Sequence, residues 1–315
     1  MEKTLKQLLE FFNIEDENNI SNLEKVRKYQ KILRRVETTD KSKSVEAAET
    51  ETAAGDIPAG IIMENGKIIG LGIHIFNEDI YPLKSFEIYL RNCNLTGALN
   101  LSGCTDMVFL DLYHNKISSV NSGNMPSMRI FGVQDNLLES IDVSGMPACQ
   151  GIDAGMNRLK ELDVSHNPEL VELYINDNEF TKIDLSHNPK LKYFYCHGNR
   201  IAALDTRANP LLRHLNATGN PMKSIRSLAP QREEKLPLEV YAGDGGCVGL
   251  KFNPIYNAQW KETGEWQQSY YAYPGEGFLF DGWYENETKV SEEETWIDGY
   301  GTSRILQARF KQKVV

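Results

Sequence analysis

Carboxylate and imidazole side chains recur in the middle of the chain at a spacing of 21 residues. The series is Asp142, Asp163, Asp184 and Asp205, with His166 and His187 each following an aspartate by three residues. Stacked aspartate and histidine side chains could hold a cation. Aspartate at a recurring turn position more often accepts hydrogen bonds from the backbone of that turn. The pattern therefore favours a structural role, and we predict no metal site.

Asp111 and Asp153 are the carboxylates best placed for general acid–base chemistry. They are two 21-residue periods apart, which is about 9.6 Å if each period adds one strand at about 4.8 Å. On an open surface nothing would exclude water from them. The sequence contains no nucleophile motif, no phosphate-binding loop, no G-x-G-x-x-G and no C-x-x-C pair. We expect no catalytic residues, no cofactor and no enzyme activity, with a hydrolase kept as the weakest alternative.

These side chains lie within a longer repeat of the same period. Sliding 170–199 forward by 21 residues superposes apolar residues on apolar residues and asparagine on asparagine. Positions 1, 4, 6 and 9 are apolar, apolar, apolar and Asn, and six copies keep register without an insertion. The asparagines are Asn115, Asn136, Asn157, Asn178, Asn199 and Asn220. A seventh, irregular copy starts near Ile88 and has Cys93 in place of asparagine.

The pattern L-x-x-L-x-L-x-x-N/C-x-L over residues 61–230 resembles that of leucine-rich repeats. Its L-D-L-S-x-N-P-x-L segments, as at Leu162 to Leu170, are similar to those of bacterial internalin-like surface proteins. The resemblance implies a solenoid with a concave parallel sheet. Alternate residues of each short strand then face inward, and the asparagine amide bonds backbone groups in the turn after the strand. Cys149 and Cys196 occupy inward positions, which favours buried thiols over disulfides.

The outward positions of these strands form the candidate ligand-binding surface. They are rich in tyrosine, histidine and acid, and tyrosine is enriched in recognition surfaces because it supplies contact area at low rotamer cost. Gly132, Gly151 and Gly155 should leave a depression beside the aromatics. The candidate residues are Tyr89, Phe109, Asp111, Tyr113, Asp153, Glu172, Tyr174, Tyr193, Tyr195, His197 and His214. The alternative is that these aromatics cover sheet backbone or dock another part of the chain.

The segment before the repeats has three parts. Residues 1–37 carry apolar side chains at helical spacing and predict a helical hairpin, with docking or oligomerisation as the functional alternative. Residues 38–60 are polar and predict a linker. From Ile61 an alternating apolar pattern surrounds Asn65-Gly66, which predicts a hairpin or first strand that caps the solenoid.

The repeats fade after Ile225, and a charged, proline-bounded stretch at 230–237 predicts a domain boundary. Residues 236–315 have alternating aromatics, including the run G-F-L-F-D-G-W from Gly277 to Trp283, which predicts a small β-rich domain. That run and the later L-x-A-x-F resemble the B-repeat-like modules of internalin-type proteins, which implies a β-grasp-type spacer or adhesive unit. The predicted fold class is α+β: a helical appendage, a leucine-rich-repeat solenoid and a β-rich domain.

The overall charge narrows the classes of partner. The net charge is −10 and the pI is about 5.2, so nucleic acid and anionic lipid would be repelled. No apolar run has the length of a membrane span. We expect a non-enzymatic protein that binds a protein or glycan, with a scaffold or spacer as the alternative; the oligomeric state stays open. Localisation is expected at the cell surface or outside the cell if a leader precedes Met1, and in the cytoplasm otherwise.

Overall fold

The computed structural model describes residues 61–64, 67–71, 96–101, 108–228, 237–256, 262–298 and 304–314. The secondary structure in these ranges is strand and turn, with no helix. The predicted helical hairpin at 1–37 and linker at 38–60 lie outside them, so the helical half of the α+β expectation has no support here. No helix capable of crossing a membrane occurs in the ranges described.

The chain forms two compact units, Met1–Cys149 and Gln150–Val315. The strands of the first unit are β1 (Ile61–Glu64), β2 (Lys67–Leu71), β3 (Thr96–Asn100), β4 (Phe109–Asp111), β5 (Lys116–Asn121) and β6 (Ile130–Gly132). β1 and β2 form an antiparallel pair, as the sequence around Asn65-Gly66 predicts. β2, β4 and β6 then pair in parallel, and β3 pairs in parallel with β5.

The second unit contains four repeats and the C-terminal segment. Its repeat strands are β7 (Gly151–Asp153), β8 (Glu172–Tyr174), β9 (Tyr193–Tyr195), β10 (Ala203–Asp205), β11 (His214–Asn216) and β12 (Ser224–Leu228). The C-terminal strands are β13 (Pro237–Ala242), β14 (Gly246–Tyr256), β15 (Glu262–Pro274), β16 (Phe278–Glu285), β17 (Thr288–Ser291), β18 (Thr295–Asp298) and β19 (Arg304–Gln312).

The C-terminal strands of this unit share both sheets with the repeats. In one sheet the order is β7-β8-β9-β11-β14-β15-β18, and in the other it is β10-β12-β13-β19-β16-β17. The junctions are antiparallel, with Leu215 opposite Phe252 and Ile225 opposite Val240. Strands before and after the predicted boundary at 230–237 therefore pair with one another; most of the boundary itself lies outside the described residues.

Apolar side chains at the inward repeat positions build the core, as the register predicts. In the second unit the central strand position contributes Ile152, Leu173, Phe194 and Leu215, all fully buried. Cys149 and Cys196 are buried thiols that form no disulfide, and burial raises the pKa of Cys196. The inward files thus follow from the period alone, because each side chain meets its equivalents 21 residues away.

The asparagine ladder turns the chain after each strand, as predicted. The amide of Asn199 donates to the carbonyl oxygens of Ile175, Cys196 and His197, at 2.9, 3.0 and 3.3 Å, while its oxygen accepts from the Phe180 N–H at 3.0 Å. The residue before each asparagine has a positive φ, and glycine fills this position only at Gly198 and Gly219. The other four copies hold the left-handed conformation with His114, Asp135, Met156 and Asp177.

The aromatic run of the C-terminal strands is packed as predicted only in part. Trp283 is fully buried and its indole N–H donates to the carbonyl oxygen of Glu293 at 3.1 Å. Phe280 lies 5.7 Å from Trp283 and 5.9 Å from Phe310 between ring centroids. Phe278 is only half-buried. The core interpretation therefore holds fully for Trp283.

Candidate functional site

The parallel register of the second unit aligns its outward side chains in two files. Glu172 pairs with Gly151 on one side and Tyr193 on the other, and Tyr174 pairs with Asp153 and Tyr195. We name this surface the tyrosine face. It consists of Gly151, Asp153, Glu172, Tyr174, Tyr193, Tyr195, His214 and Asn216. Neighbours in a file are about 4.8 Å apart because that is the spacing of paired strands.

Aromatic rings form the exposed part of the tyrosine face. Tyr174 and Tyr195 have ring centroids 5.1 Å apart and are tilted by 43°. Tyr193 stacks on His214, with ring centroids 4.3 Å apart. The ring of Tyr256 is nearly parallel to that of His214, with an interplanar angle of 20° and a centroid distance of 6.5 Å. The three tyrosines of the repeats are half-buried. Because Tyr256 belongs to β14, the aromatic row continues from the repeats onto the C-terminal hairpin.

Glu172 lies beneath these rings. Its side chain is only 1% exposed, and the Tyr174 hydroxyl donates to its Oε2 at 3.3 Å. Burial, reinforced by the negative charge of Asp153, raises the pKa of Glu172 from 4.5 to about 7. The same burial, with the nearby carboxylates, raises the pKa of Tyr174. The face therefore holds an acid that exchanges its proton near neutral pH.

His214 and the other candidate histidine, His197, are both held toward the neutral form. Burial, with the charge of Arg213, lowers the pKa of His214 to about 4. Its Nε2 lies 3.4 Å from the Tyr256 hydroxyl. Burial also lowers the pKa of His197, against the opposing effect of Asp177, whose carboxylate is 3.8 Å from its Nε2. At neutral pH His214 is uncharged, so it packs on Tyr193 and Tyr256 as a neutral ring.

The expectation that all candidate residues are displayed to solvent is wrong for five of them. Those buried are Phe109, Asp111, Asp153, Glu172 and His214. In the second unit each of them has a large neighbour across the sheet: Asp153 pairs with Tyr174, Glu172 pairs with Tyr193, and Tyr193 stacks on His214. In the first unit Phe109 pairs with apolar, equally buried Ile130.

The remaining candidates are half-buried or lie outside the described residues. Tyr113 is half-buried, and its backbone N–H donates to the Asp111 carboxylate at 2.9 Å. Tyr174, Tyr193, Tyr195 and His197 are half-buried in the second unit. Tyr89 falls outside the described residues. The structure thus brings seven candidates together in the second unit and three in the first.

The aspartate series serves the turns, as predicted. Asp163 and Asp184 accept the backbone N–H of Ser165 and Ser186, each at 2.9 Å, and Asp205 accepts that of Arg207 at 3.0 Å. Hydrogen bonds with these turn residues lower the pKa of all three aspartates. Within the described ranges no group of three or more His, Cys, Asp or Glu side chains is arranged to hold a metal ion.

Two features were missed by the sequence analysis. A second asparagine series, Asn167, Asn188 and Asn209, is buried, and the amide of Asn209 donates to the carbonyl oxygens of Leu185 and Asn188 at 2.9 Å. Its signal was present as Asn-Pro recurring every 21 residues. The second feature is Tyr256, which lies outside the repeats, so no periodic signal marks it as a neighbour of His214.

The strand register, inward files and asparagine ladder define a leucine-rich-repeat β-solenoid. No protein-family model matches the chain, and no curated protein matches it. Among solved structures, the functional domain of InlJ from Listeria monocytogenes, which includes a cysteine ladder, is similar over 38% of this chain, with 20% identity and a TM-score of 0.34. An internalin, inlF, from the same species is similar over 38%, with 13% identity and a TM-score of 0.32. The matches span 32% and 44% of those two chains.

Proposed function

We propose that this chain is a non-enzymatic binding protein that recognises a protein or glycan through the tyrosine face. The observation that carries the proposal is the row of aromatic rings in which the tyrosines are partly exposed: Tyr174 packs with Tyr195, and Tyr193 and Tyr256 pack on buried His214. Acting at the cell surface or outside the cell belongs to the same proposal.

Ring packing makes this row suitable for recognition. Each ring leans on a ring of the next strand, so its rotamer is largely fixed before a ligand arrives. A ligand that contacts such rings pays less side-chain entropy than one that must order flexible chains. The half-buried state leaves ring area and hydroxyl groups available, while the backbone beneath is already paired in the sheet. The face is therefore organised for contact without rearrangement of the strands.

The test is a comparison of variants on one set of immobilised glycans and peptides. Tyr174→Ala and Tyr195→Ala remove the paired rings, and truncating an aromatic at a binding hot spot costs about 2 kcal/mol or more, which is roughly thirtyfold in affinity. Tyr241→Ala is the matched control, because Tyr241 is a half-buried tyrosine on β13 in the other sheet. Binding unaffected by either face variant, or turnover of any bound glycan or peptide, would reject the proposal.

A further inference from the structure

The inference concerns the charge that the ligand of the tyrosine face carries. Glu172 is a buried carboxylate whose neighbours make its ionised form costly: burial and the Asp153 charge oppose ionisation, and only the Tyr174 hydroxyl favours it. No positive group acts on it among the residues that the structure describes. A carboxylate in this state gains more from a nearby cation than one already paired at the surface.

Two cations of this sheet act on groups other than Glu172. Arg213 is hydrogen bonded to Glu262 and lies over the Trp266 ring at 5.6 Å. The charge of Lys251, on β14, acts on His197. β14 follows β11 at the far end of the repeat strands, three strands from β8. The two carboxylates of the tyrosine face therefore lie on β7 and β8, and Lys251 lies beyond the last repeat strand on β14.

The rings above Glu172 are suited to a cation. The face of a tyrosine ring is electron-rich and attracts ammonium and guanidinium groups placed within about 6 Å. Tyr174 directs its hydroxyl hydrogen to Glu172, so a half-buried ring lies next to the buried carboxylate. The ring centroid of Tyr195 lies 5.1 Å from that of Tyr174. A cation stacked there would meet two rings and the field of two carboxylates.

We propose that the ligand of the tyrosine face is a protein that places an arginine or lysine side chain against Tyr174 and Tyr195, above Glu172. This inference rests on the proposed function and narrows it to a basic protein segment. A neutral glycan would satisfy the rings and hydroxyl groups but would leave the buried charge of Glu172 uncompensated. The overall charge of −10 further favours a basic partner by long-range attraction.

Protonation of Glu172 should control this binding. The groups that face it are Asp153 on β7, Tyr174 on β8, Tyr193 and Tyr195 on β9, and His214 at the end of its file on β11. The pKa of His214 is lowered to about 4, and those of Tyr174 and Tyr195 are raised, so these three keep their charge state around neutrality. Because the pKa of Glu172 is about 7, affinity for a cation should fall as the pH decreases through 7.

In the experiment the tyrosine rings of the intact chain are labelled with ¹³C and their NMR resonances are followed. Two blocked peptides are added in separate titrations, Gly-Gly-Arg-Gly-Gly and Gly-Gly-citrulline-Gly-Gly. Citrulline has the shape of arginine without its charge, so the pair isolates the cation. Tyr174→Phe and Tyr195→Phe assign the resonances. At pH 8 the arginine peptide should shift the ring resonances of both Tyr174 and Tyr195 in a saturable way. Its affinity should exceed that of the citrulline peptide about fivefold or more.

Variants connect that difference to Glu172. Glu172→Gln should reduce the affinity for the arginine peptide about fivefold, and acidification of the unmodified chain from pH 8 to pH 6 should reduce it in the same direction. Glu169→Gln is the matched control, because Glu169 is an exposed acid paired with Lys190; it should leave the affinity unchanged.

The outcomes separate this inference from the proposed function. Equal affinity for the two peptides, unchanged affinity in Glu172→Gln, or no shift with the arginine peptide at about 10 mM overturns the cationic ligand. If a neutral oligosaccharide shifts Tyr174 and Tyr195 and Glu172→Gln binds it normally, the face binds a glycan and only the inference about charge fails. Whether the tyrosine face binds a ligand at all is tested separately, by the alanine variants of Tyr174 and Tyr195.

Discussion

Glu172→Gln should stabilise the second unit at pH 8 more than at pH 5. In the folded chain the Glu172 carboxyl has a pKa of about 7, compared with an ordinary value of 4.5. The folded state therefore holds the proton more tightly than the unfolded state. Stability from this group is fully present below pH 4.5 and is lost as the pH rises to about 7. Glutamine carries no proton to lose, so the variant escapes that loss.

The magnitude follows from the two pKa values. One pKa unit corresponds to about 1.4 kcal/mol, so the rise from 4.5 to about 7 corresponds to about 3 kcal/mol at a pH well above 7. About 1 kcal/mol of this is already lost at pH 5. The advantage of the variant over the unmodified chain should therefore grow by about 2 to 3 kcal/mol between pH 5 and pH 8. Comparing two pH values cancels any constant difference between a carboxylic acid and an amide.

Urea unfolding followed by tryptophan fluorescence measures this quantity. All four tryptophans follow Gln150, so the signal reports the second unit. Glu169→Gln serves as control, since its surface pair with Lys190 contributes at most about 1 kcal/mol. If the difference between Glu172→Gln and the unmodified chain is the same at both pH values, Glu172 is not the buried, uncompensated acid described above, and the cationic ligand loses its physical basis.

Three further predictions concern the scaffold, and each is measured by urea unfolding with circular dichroism. Asn199→Ala should cost about 3 kcal/mol, because it leaves the buried Phe180 N–H without its partner and removes one hydrogen bond from each of three carbonyl oxygens; a loss below about 0.5 kcal/mol would contradict the ladder. Met156→Gly should stabilise by up to about 1 kcal/mol by relieving a φ of 53°, since its side chain is 44% exposed, whereas Gly198→Ala should destabilise because a Cβ would overlap the Asp177 carboxylate. Deletion of 237–315 should unfold the repeats of the second unit by uncovering the sheet edges at β11 and β12. A folded, monomeric product would show that the repeats do not need the C-terminal strands.

The repeat core could be predicted from the sequence because its determinants are periodic. Leu173 and Phe194 each meet their equivalents in the next repeat, and the register makes them paired neighbours. The same holds for Asn178 and Asn199, each of which donates to the carbonyl oxygen of the residue 24 positions earlier. A one-residue error in register would have placed the apolar side chains on the opposite face.

The exposure of the outward side chains to solvent could not be predicted in the same way. The period assigns Glu172 and Tyr174 to the outer face equally, yet one is buried and the other half-exposed. Both residues pair with a tyrosine of β9, and the shorter acid is the one that is buried. Alternation identifies a face, but exposure depends on which side chains happen to be neighbours across the sheet.

The pairing of the C-terminal strands could not be predicted from the sequence either. An alternating segment such as that around Phe252 predicts a strand without naming its partner. In the structure β14 pairs with β11, a strand of only three residues, and this brings Tyr256 to His214. Antiparallel pairing between segments of different composition leaves no repeat in the sequence. The sheet that supports the tyrosine face is consequently larger than the repeat pattern indicates.

The distribution of unfavourable groups favours the proposed binding face over a face that merely covers backbone. Every inward strand residue from β7 to β11 is apolar and fully buried, which is what stability alone would favour. On the outer face of the same strands Glu172 is ionised at a cost beside Asp153, where glutamine would fill the same space without charge. Side chains that only protect the sheet have no reason to include a buried acid pair. Costly groups concentrate where a ligand supplies the compensating interaction, and on the tyrosine face the interaction that compensates a carboxylate is a positive charge.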